Sequence, residues 1–399
     1  MKTPFSTSIT LVVLMTSMYG QNITNTLGSG GSFVVKDGST TFLSLSQADG
    51  NVSVNNTLTL PVTTASTLGV IFKDGLRFVH DFQAAGTAGY NTFIGTNSGN
   101  FTMSGSGADA SYNTGVGRAS LAGLTAGYGN SALGYASLSQ TTTGNYNSAF
   151  GYFSLIFNTT GSSNSAFGAS SLDLNTTGNN NSAFGYQSLH ANTTGSSNSA
   201  FGPSSLSLNT TGTGNAAFGT GSLSSTTGNY NSAFGYGAGA LTTGSNNTCL
   251  GNGAQVPSDT ASNQVRVGNV FVTYAGVQIS WTVTSDRRWK SNIVQSNLGL
   301  NFIAKLQPVS YVRKNDEKKR IEYGFIAQEV EEVLKGSGVE NAGMLTIDDA
   351  GRYELRYNDL FAPMVKAIQE LKYENNSLKT ELEALKRLVH TLDSKLAAQ

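Results

Sequence analysis

The feature that most constrains this chain is a repeat. NSALG at Asn130 is followed by NSAFG at Asn147, Asn164, Asn181, Asn198 and Asn231, with NAAFG at Asn215 and NTCLG at Asn247. The asparagines fall 17 residues apart five times and then 16 apart twice; NTGVG at Asn113 extends the series backward by another 17, and NTFIG at Asn91 is a degenerate earlier copy. Between these pentapeptides each unit reads roughly G-Y-x-S-L-x-x-x-T-T-G-N-x. Self-similarity at this period is the mark of a stacked architecture in which each unit contacts its neighbours.

Local chemistry suggests the form of one unit. NSAFG alternates in the period of a strand, with Ser and Phe on one face and Ala and Gly on the other. Thr-Thr-Gly-Asn is turn chemistry, because Gly accepts positive φ at no steric cost and Asn tolerates it. Two ladders of large apolar residues follow: Phe150, Phe167, Phe184, Phe201, Phe218 and Phe234, and Leu138, Leu155, Leu172, Leu189, Leu206 and Leu223. The expectation is a parallel β-solenoid of about 17 residues per coil that buries one Phe and one Leu per coil. Such a core is thin. Two large side chains supply about 3–6 kcal/mol, while ordering 17 residues costs more. The Ala and Gly face is therefore expected to meet further copies of the chain at an axis. The alternative is a monomeric solenoid held by ladders of stacked asparagines.

Over about Tyr90 to Gly253 the repeats resemble the β-roll heads of trimeric autotransporter adhesins, which carry N-S-x-A-x-G units, and repeats of tail-fibre-like surface proteins. The unit here is longer than the usual adhesin repeat.

Charge divides the chain at Ser285. The residues before it hold six Lys/Arg and seven Asp/Glu; those from it onward hold 18 and 17. Net charge is zero, so nothing implies a bulk attraction to nucleic acid or an anionic membrane. The one cysteine, Cys249, excludes an internal disulfide framework and replaces the Ala of neighbouring units. At the N-terminus Lys2 precedes a short apolar run, Ile9 to Met15, with small residues near Ser17 and Gly20. This reads as a secretory signal peptide over 1–20 and is too short for a membrane span of about 20 residues. Alternating stretches between 21 and 89 read as strands, with a hairpin about Asp74-Gly75. The His80-Asp81 pair reads as structural.

From Ser285 the grammar turns helical. Leu298, Phe302 and Leu306 keep a helical spacing that Pro308 ends. VSYVRK, a charged NDEKKR turn and IEYG suggest strands, and the last runs into a helix through AQEVEEVL. MLTIDDAGRYELRY suggests a hairpin about Ala350-Gly351. From Tyr357 onward one long helix carries a heptad. Ile368, Asn375, Leu382, Val389 and Leu396 stand at a; Met364, Leu371, Leu378, Leu385 and Leu392 stand at d. Four sustained heptads argue for a coiled coil, with Asn375 as a register device.

Four motifs in order carry a closer resemblance: SDRRWKSNI from Ser285, LQPVSY from Leu306, YGFIAQEV from Tyr323 and LRYNDLFAPMVKAIQEL from Leu355. Together they resemble the C-terminal intramolecular chaperone of endosialidases and phage tail spikes, over nearly all of Ser285 to Leu371. Trp289 stands where Leu or Phe is more usual. The resemblance implies a module that trimerises, aligns three chains while the upstream β-structure folds, and then cuts itself off before a serine. It also implies a Ser-Lys dyad, which places the nucleophile at Ser285, the base at Lys290 and the scissile bond between Thr284 and Ser285. No cofactor and no metal is implied. A serine hydroxyl needs a base to accept its proton, and a lysine serves only when neutral, a form that burial or cationic neighbours such as Arg287 and Arg288 favour.

The expected organisation is a signal peptide over 1–20, an N-terminal β region over 21–89, β-solenoid repeats over 90–253 and a β connector over 254–284. A chaperone core over 285–360 and a coiled-coil helix over 361–399 complete it. The fold class is mainly β, the solenoid trimeric, with a small α+β module at the end. The function expected is a homotrimeric surface fibre, adhesin-like, with a self-releasing chaperone; its enzymology is one autoproteolytic turnover with no external substrate. The partner class is a cell-surface glycan or receptor, and neither nucleic acid nor a membrane span is expected. The location is secreted or at the cell surface, with a virion tail fibre as the alternative. The rival is a glycan-cleaving spike. Glycosidases use paired carboxylates, and of the upstream acids only Asp173 lies within the regular repeats. A transcription factor bearing the same module is disfavoured because no basic patch exists upstream.

Overall fold

The computed structural model describes residues 32–37, 40–46, 52–54 and 58–397, except Thr67, Ser280 and Asn341. The expected signal peptide lies outside the described residues. The chain divides into two compact units, Met1–Pro61 and Val62–Gln399. In the first, β1 (Ser32–Asp37), β2 (Thr40–Ser46) and β3 (Val52–Val54) form an antiparallel sheet in that order.

The second unit opens with the expected hairpin, β4 (Ile71–Lys73) and β5 (Leu76–His80). Asp74 and Gly75 both adopt positive φ, 53° and 74°, the requirement of a two-residue type I′ turn. His80 is buried. Its Nε2 donates to the Ser98 carbonyl at 2.8 Å and its Nδ1 accepts from Phe82 N–H at 3.3 Å, so both ring nitrogens are satisfied by backbone. Burial pushes this imidazole below its ordinary range.

Eleven three-residue strands follow, β6 (Thr92–Ile94) through β16 (Val265–Val267), each pairing in parallel with the next copy. With β4 and β5 they make one 13-stranded sheet. The register is one repeat per rung: Ala149 beside Ala166 beside Ala183, Phe150 beside Phe167 beside Phe184. At about 4.8 Å per rung the solenoid rises roughly 50 Å. The last rung, β16, belongs to a QVRVG copy in which Gln264 takes the place of Asn; its N–H donates to Asn247 Oδ1 at 2.9 Å as the asparagines do.

The interior differs from the one expected. The Leu ladder is fully buried, but its partner inside the coil is the Ala ladder, from Ala149 to Ala233 at 0 % exposure. The phenylalanines face outward, with Phe201 36 % and Phe234 43 % exposed. Their expected burial, and the expected exposure of the Ala face to another copy, are both overturned. Strand parity links these outcomes: Asn, Ala and Gly positions share one side, and with the asparagines paired from coil to coil inside, the Ala methyls face in and the Phe rings face out. Two asparagine ladders run through the interior. In the longer one, Asn181 Nδ2 donates to Asn164 Oδ1 at 3.2 Å and to the Gly195 carbonyl at 2.8 Å. Its own Oδ1 accepts from Asn198 N–H at 3.0 Å. The shorter ladder joins Asn158, Asn175, Asn192 and Asn209. Space left beside these amides and the Leu column takes a methyl group. Cys249 stands in the Ala column, in register with Ala233, and burial pushes its thiol up.

Close stacking also explains the glycine that ends each pentapeptide. Gly151 has φ 146°, and a Cβ there would lie 2.5 Å from the Gly168 carbonyl oxygen of the next coil. Asp173 faces His190 one coil on, Oδ1 to Nδ1 2.5 Å. This close contact lies inside the regular repeats.

Beyond the solenoid, α1 (Leu300–Ile303), the antiparallel pair β17 (Val309–Val312) and β18 (Ile321–Gly324), α2 (Ala327–Gly336) and the hairpin β19 (Leu345–Ile347) with β20 (Tyr353–Leu355) lead into α3 (Phe361–Leu396). Leu298, Phe302, Val330, Leu334, Met344 and Leu360 form their core. Glu370 of α3 accepts from Leu300 N–H at 2.6 Å, which caps α1 and ties it to the long helix.

Candidate functional site

Ser285 and Lys290 meet across a single 3-10 turn, Arg287–Trp289. Asp286 caps that turn, its Oδ1 accepting from Arg288 N–H at 2.8 Å. Trp289 N–H and Lys290 N–H then bond back to the carbonyls of Asp286 and Arg287, each at 3.1 Å. This winding returns the sixth residue to the first: Lys290 Nζ lies 2.6 Å from Ser285 Oγ. The distance is that of a nucleophile and its base in hydrogen-bond reach. A four-residue spacer therefore has a geometric basis that the sequence alone does not supply.

The surroundings are equally informative. Ser285 and Lys290 are exposed in the single chain. Of the cations considered as neighbours for the lysine, Arg288 is engaged elsewhere: its Nε and Nη2 reach the Asp286 carboxylate at 3.1 and 2.7 Å. That contact holds the Asp286 carboxyl below the usual range. The segment leading to the dyad is exposed. Val277, Ile279, Trp281 and Val283 stand at every second position of its sequence, with Ile279 84 % and Trp281 80 % exposed; Trp289, inside the turn, is 83 % exposed. Apolar surface on this scale marks an interaction site. The heptad helix behaves in the same way: Ile368, Leu371, Leu378, Leu382, Leu385, Val389, Leu392 and Leu396 are all exposed.

Two further contacts escaped sequence reasoning. At the last rung the Ala column ends in Arg266, in register with Cys249, and its Nη1 pairs with Glu354 of β20 at 2.6 Å. Asp349 Oδ2, from the same hairpin, accepts from Asp259 N–H at 2.7 Å. The hairpin thus covers the open end of the solenoid, the role of a terminal cap in stacked repeats. The one available signal was an Arg at an interior rung position of a degenerate repeat. Asp173, the acid of the repeats, is buried against His190, and burial raises its carboxyl above the ordinary range. Among the described residues the side chain it meets is His190, one coil on.

A solenoid shaft followed by a small α/β module, with Ser285 and Lys290 in contact and an exposed heptad seam on a long helix, is the architecture of a fibre- or spike-like protein. Residues 285–339 match the peptidase S74 family, described as chaperone of endosialidase. That span takes in the SDRRWKSNI, LQPVSY and YGFIAQEV motifs, and the motif beginning at Leu355 lies beyond it. No curated protein and no solved structure matches the chain. Among the described residues no helix is long and apolar enough to cross a membrane.

Proposed function

We propose that this protein is a homotrimeric, exported surface fibre whose C-terminal module aligns three chains, lets the solenoid shafts form side by side, and then severs itself before Ser285. The single observation that carries the reading is the 2.6 Å approach of Lys290 Nζ to Ser285 Oγ within the family-matched segment. Ser285 Oγ attacks the Thr284 carbonyl carbon while neutral Lys290 takes the hydroxyl proton. The Thr284–Ser285 C–N bond breaks, the proton passes to the departing amine, and an ester joins Thr284 to Ser285 Oγ. Water opens the ester, leaving a carboxylate on Thr284 and a free amine and hydroxyl on Ser285. The cut happens once per chain, so it is maturation rather than turnover.

Trimerisation supplies what the single chain lacks. A neutral lysine needs a desolvated setting, and the exposed Trp281, Trp289 and heptad seam are the surfaces whose burial by other copies would create one. Three zipped tails raise the local concentration of the shafts and fix their register, since near-identical coils could otherwise align one repeat out. An adhesive role, with a glycan or receptor as partner, follows from the resemblance of the shaft to adhesin heads and from its rows of exposed tyrosines. The test is intact mass and denaturing gel of the expressed chain beside Ser285→Ala and Lys290→Arg. Wild type yields a fragment ending at Thr284, and both variants stay full length. A wild-type chain that remains uncut, or a Ser285→Ala chain that is cut equally, contradicts the reading.

A further inference from the structure

The outward ladder on the solenoid is one continuous apolar stripe. It begins at Ile94, passes Val116 and Leu133, runs through the six phenylalanines and ends at Leu250 and Val267, one residue from each of the eleven parallel strands. Its second rank on the same face is Ser, Thr, Ala or Val throughout, so no charge interrupts it. The rings from Phe150 to Phe234 are parallel within 2–5°, at centroid separations of 4.8–4.9 Å. Each inner ring has a parallel ring on either side, so its faces are turned toward its neighbours in the stack.

That geometry selects the occupant. A saccharide packs on an open aromatic face, and inside this stack no face is open. An apolar surface that meets ring edges at every rung must itself rise by the same 4.8 Å, or it would touch some rungs and miss others. A second copy of the same shaft, parallel and level, has that rise. Area agrees: at roughly a third of a roughly 200 Å² aromatic surface, and a similar area at the aliphatic rungs, of which Leu133 is 48 % and Val267 64 % exposed, eleven rungs offer on the order of 700 Å² per copy. A standard stable interface buries about 800 Å² on each side.

We infer that the Phe stripe is the surface through which the three shafts pack together, so that the phenylalanines line the common axis and the tyrosine-bearing flanks face outward. The inference rests on the trimeric reading above and specifies which face of the shaft serves it.

The experiment uses the full chain carrying Cys249→Ala and Ser285→Ala, which removes the native thiol and prevents release of the module. Phe184→Cys places a thiol on the stripe; Thr177→Cys places one in the exposed Thr-Thr-Gly turn, off the sheet. Phe218→Cys repeats the first two coils away, in case one substitution disturbs folding. Each variant is sedimented, oxidised and run on a non-reducing gel. The stripe variants are expected to give covalent dimers at least tenfold more abundant than Thr177→Cys, with every variant sedimenting as a trimer. Trimers in which the stripe thiols cross-link no better than Thr177→Cys overturn the inference, leave the trimeric reading standing and assign the stripe to another occupant. Monomers in every variant overturn both.

Discussion

A buried asparagine at every rung but the last is the residue-scale device of this shaft. Asn181 donates twice through its amide and accepts through its carbonyl, all with partners sealed from water. Replacing it with Ala leaves several of those groups unpaired, each costing about 1–3 kcal/mol. Asn181→Ala is therefore expected to destabilise the shaft by about 3 kcal/mol or more. The neighbouring half-exposed Ser182→Ala should change stability by less than about 0.5 kcal/mol, and urea midpoints followed by circular dichroism compare the two. The ladders are only as good as their ends. Asn209 Oδ1 has no donor, because Thr226 replaces Asn one coil on. The asparagines were visible in the sequence, but only as the mark of a lone solenoid. The positive φ of the ladder leucines was not visible: Leu155 and Leu189, both at 51°, are buried side chains whose packing overrides the usual penalty on a left-handed backbone.

At the scale of elements, the legible parts were those with a strong period or a glycine. The heptad appears as α3, Asp74-Gly75 and Ala350-Gly351 turn their hairpins, and Pro308 lies beyond the end of α1. The dyad spacing was legible only through resemblance, because a 3-10 turn of three residues capped by Asp286 has no periodic signal. The facing of the short strands was misread for a different reason. In a three-residue strand, hydrophobicity alone favours burying Phe; the buried amide ladder and the room for a methyl decide otherwise. On the proposed mechanism, cleavage should follow assembly of the α3 seam. Leu385→Glu, in the seam, is expected to lower the cleaved fraction at least tenfold. Arg387→Glu, at the outward f position, should leave it unchanged, and a time course on denaturing gels distinguishes them.

For the whole molecule, the structure shifts where the need for partners comes from. A coil holding Leu, Ala and two asparagine ladders is better furnished than the sequence suggested, so a thin core no longer argues for an oligomer. The unsatisfied surface is elsewhere: the Phe stripe, the exposed segment around Trp281 and the helix seam. All three lie along a chain whose tail matches a chaperone family, which is why assembly from the tail remains the organising idea. The hairpin that covers the last rung through Arg266 and Glu354 gives that tail a direct hold on the shaft.

Ending the gene after Thr284 tests that idea most directly. The truncated chain, expressed without residues 285–399, is expected to aggregate or to lack native circular dichroism, whereas full-length protein yields sedimenting trimers of shaft. A truncated chain that sediments as a well-ordered single subunit, with the β signal of the mature shaft, would contradict the claim that the tail must gather three copies before the shaft can form.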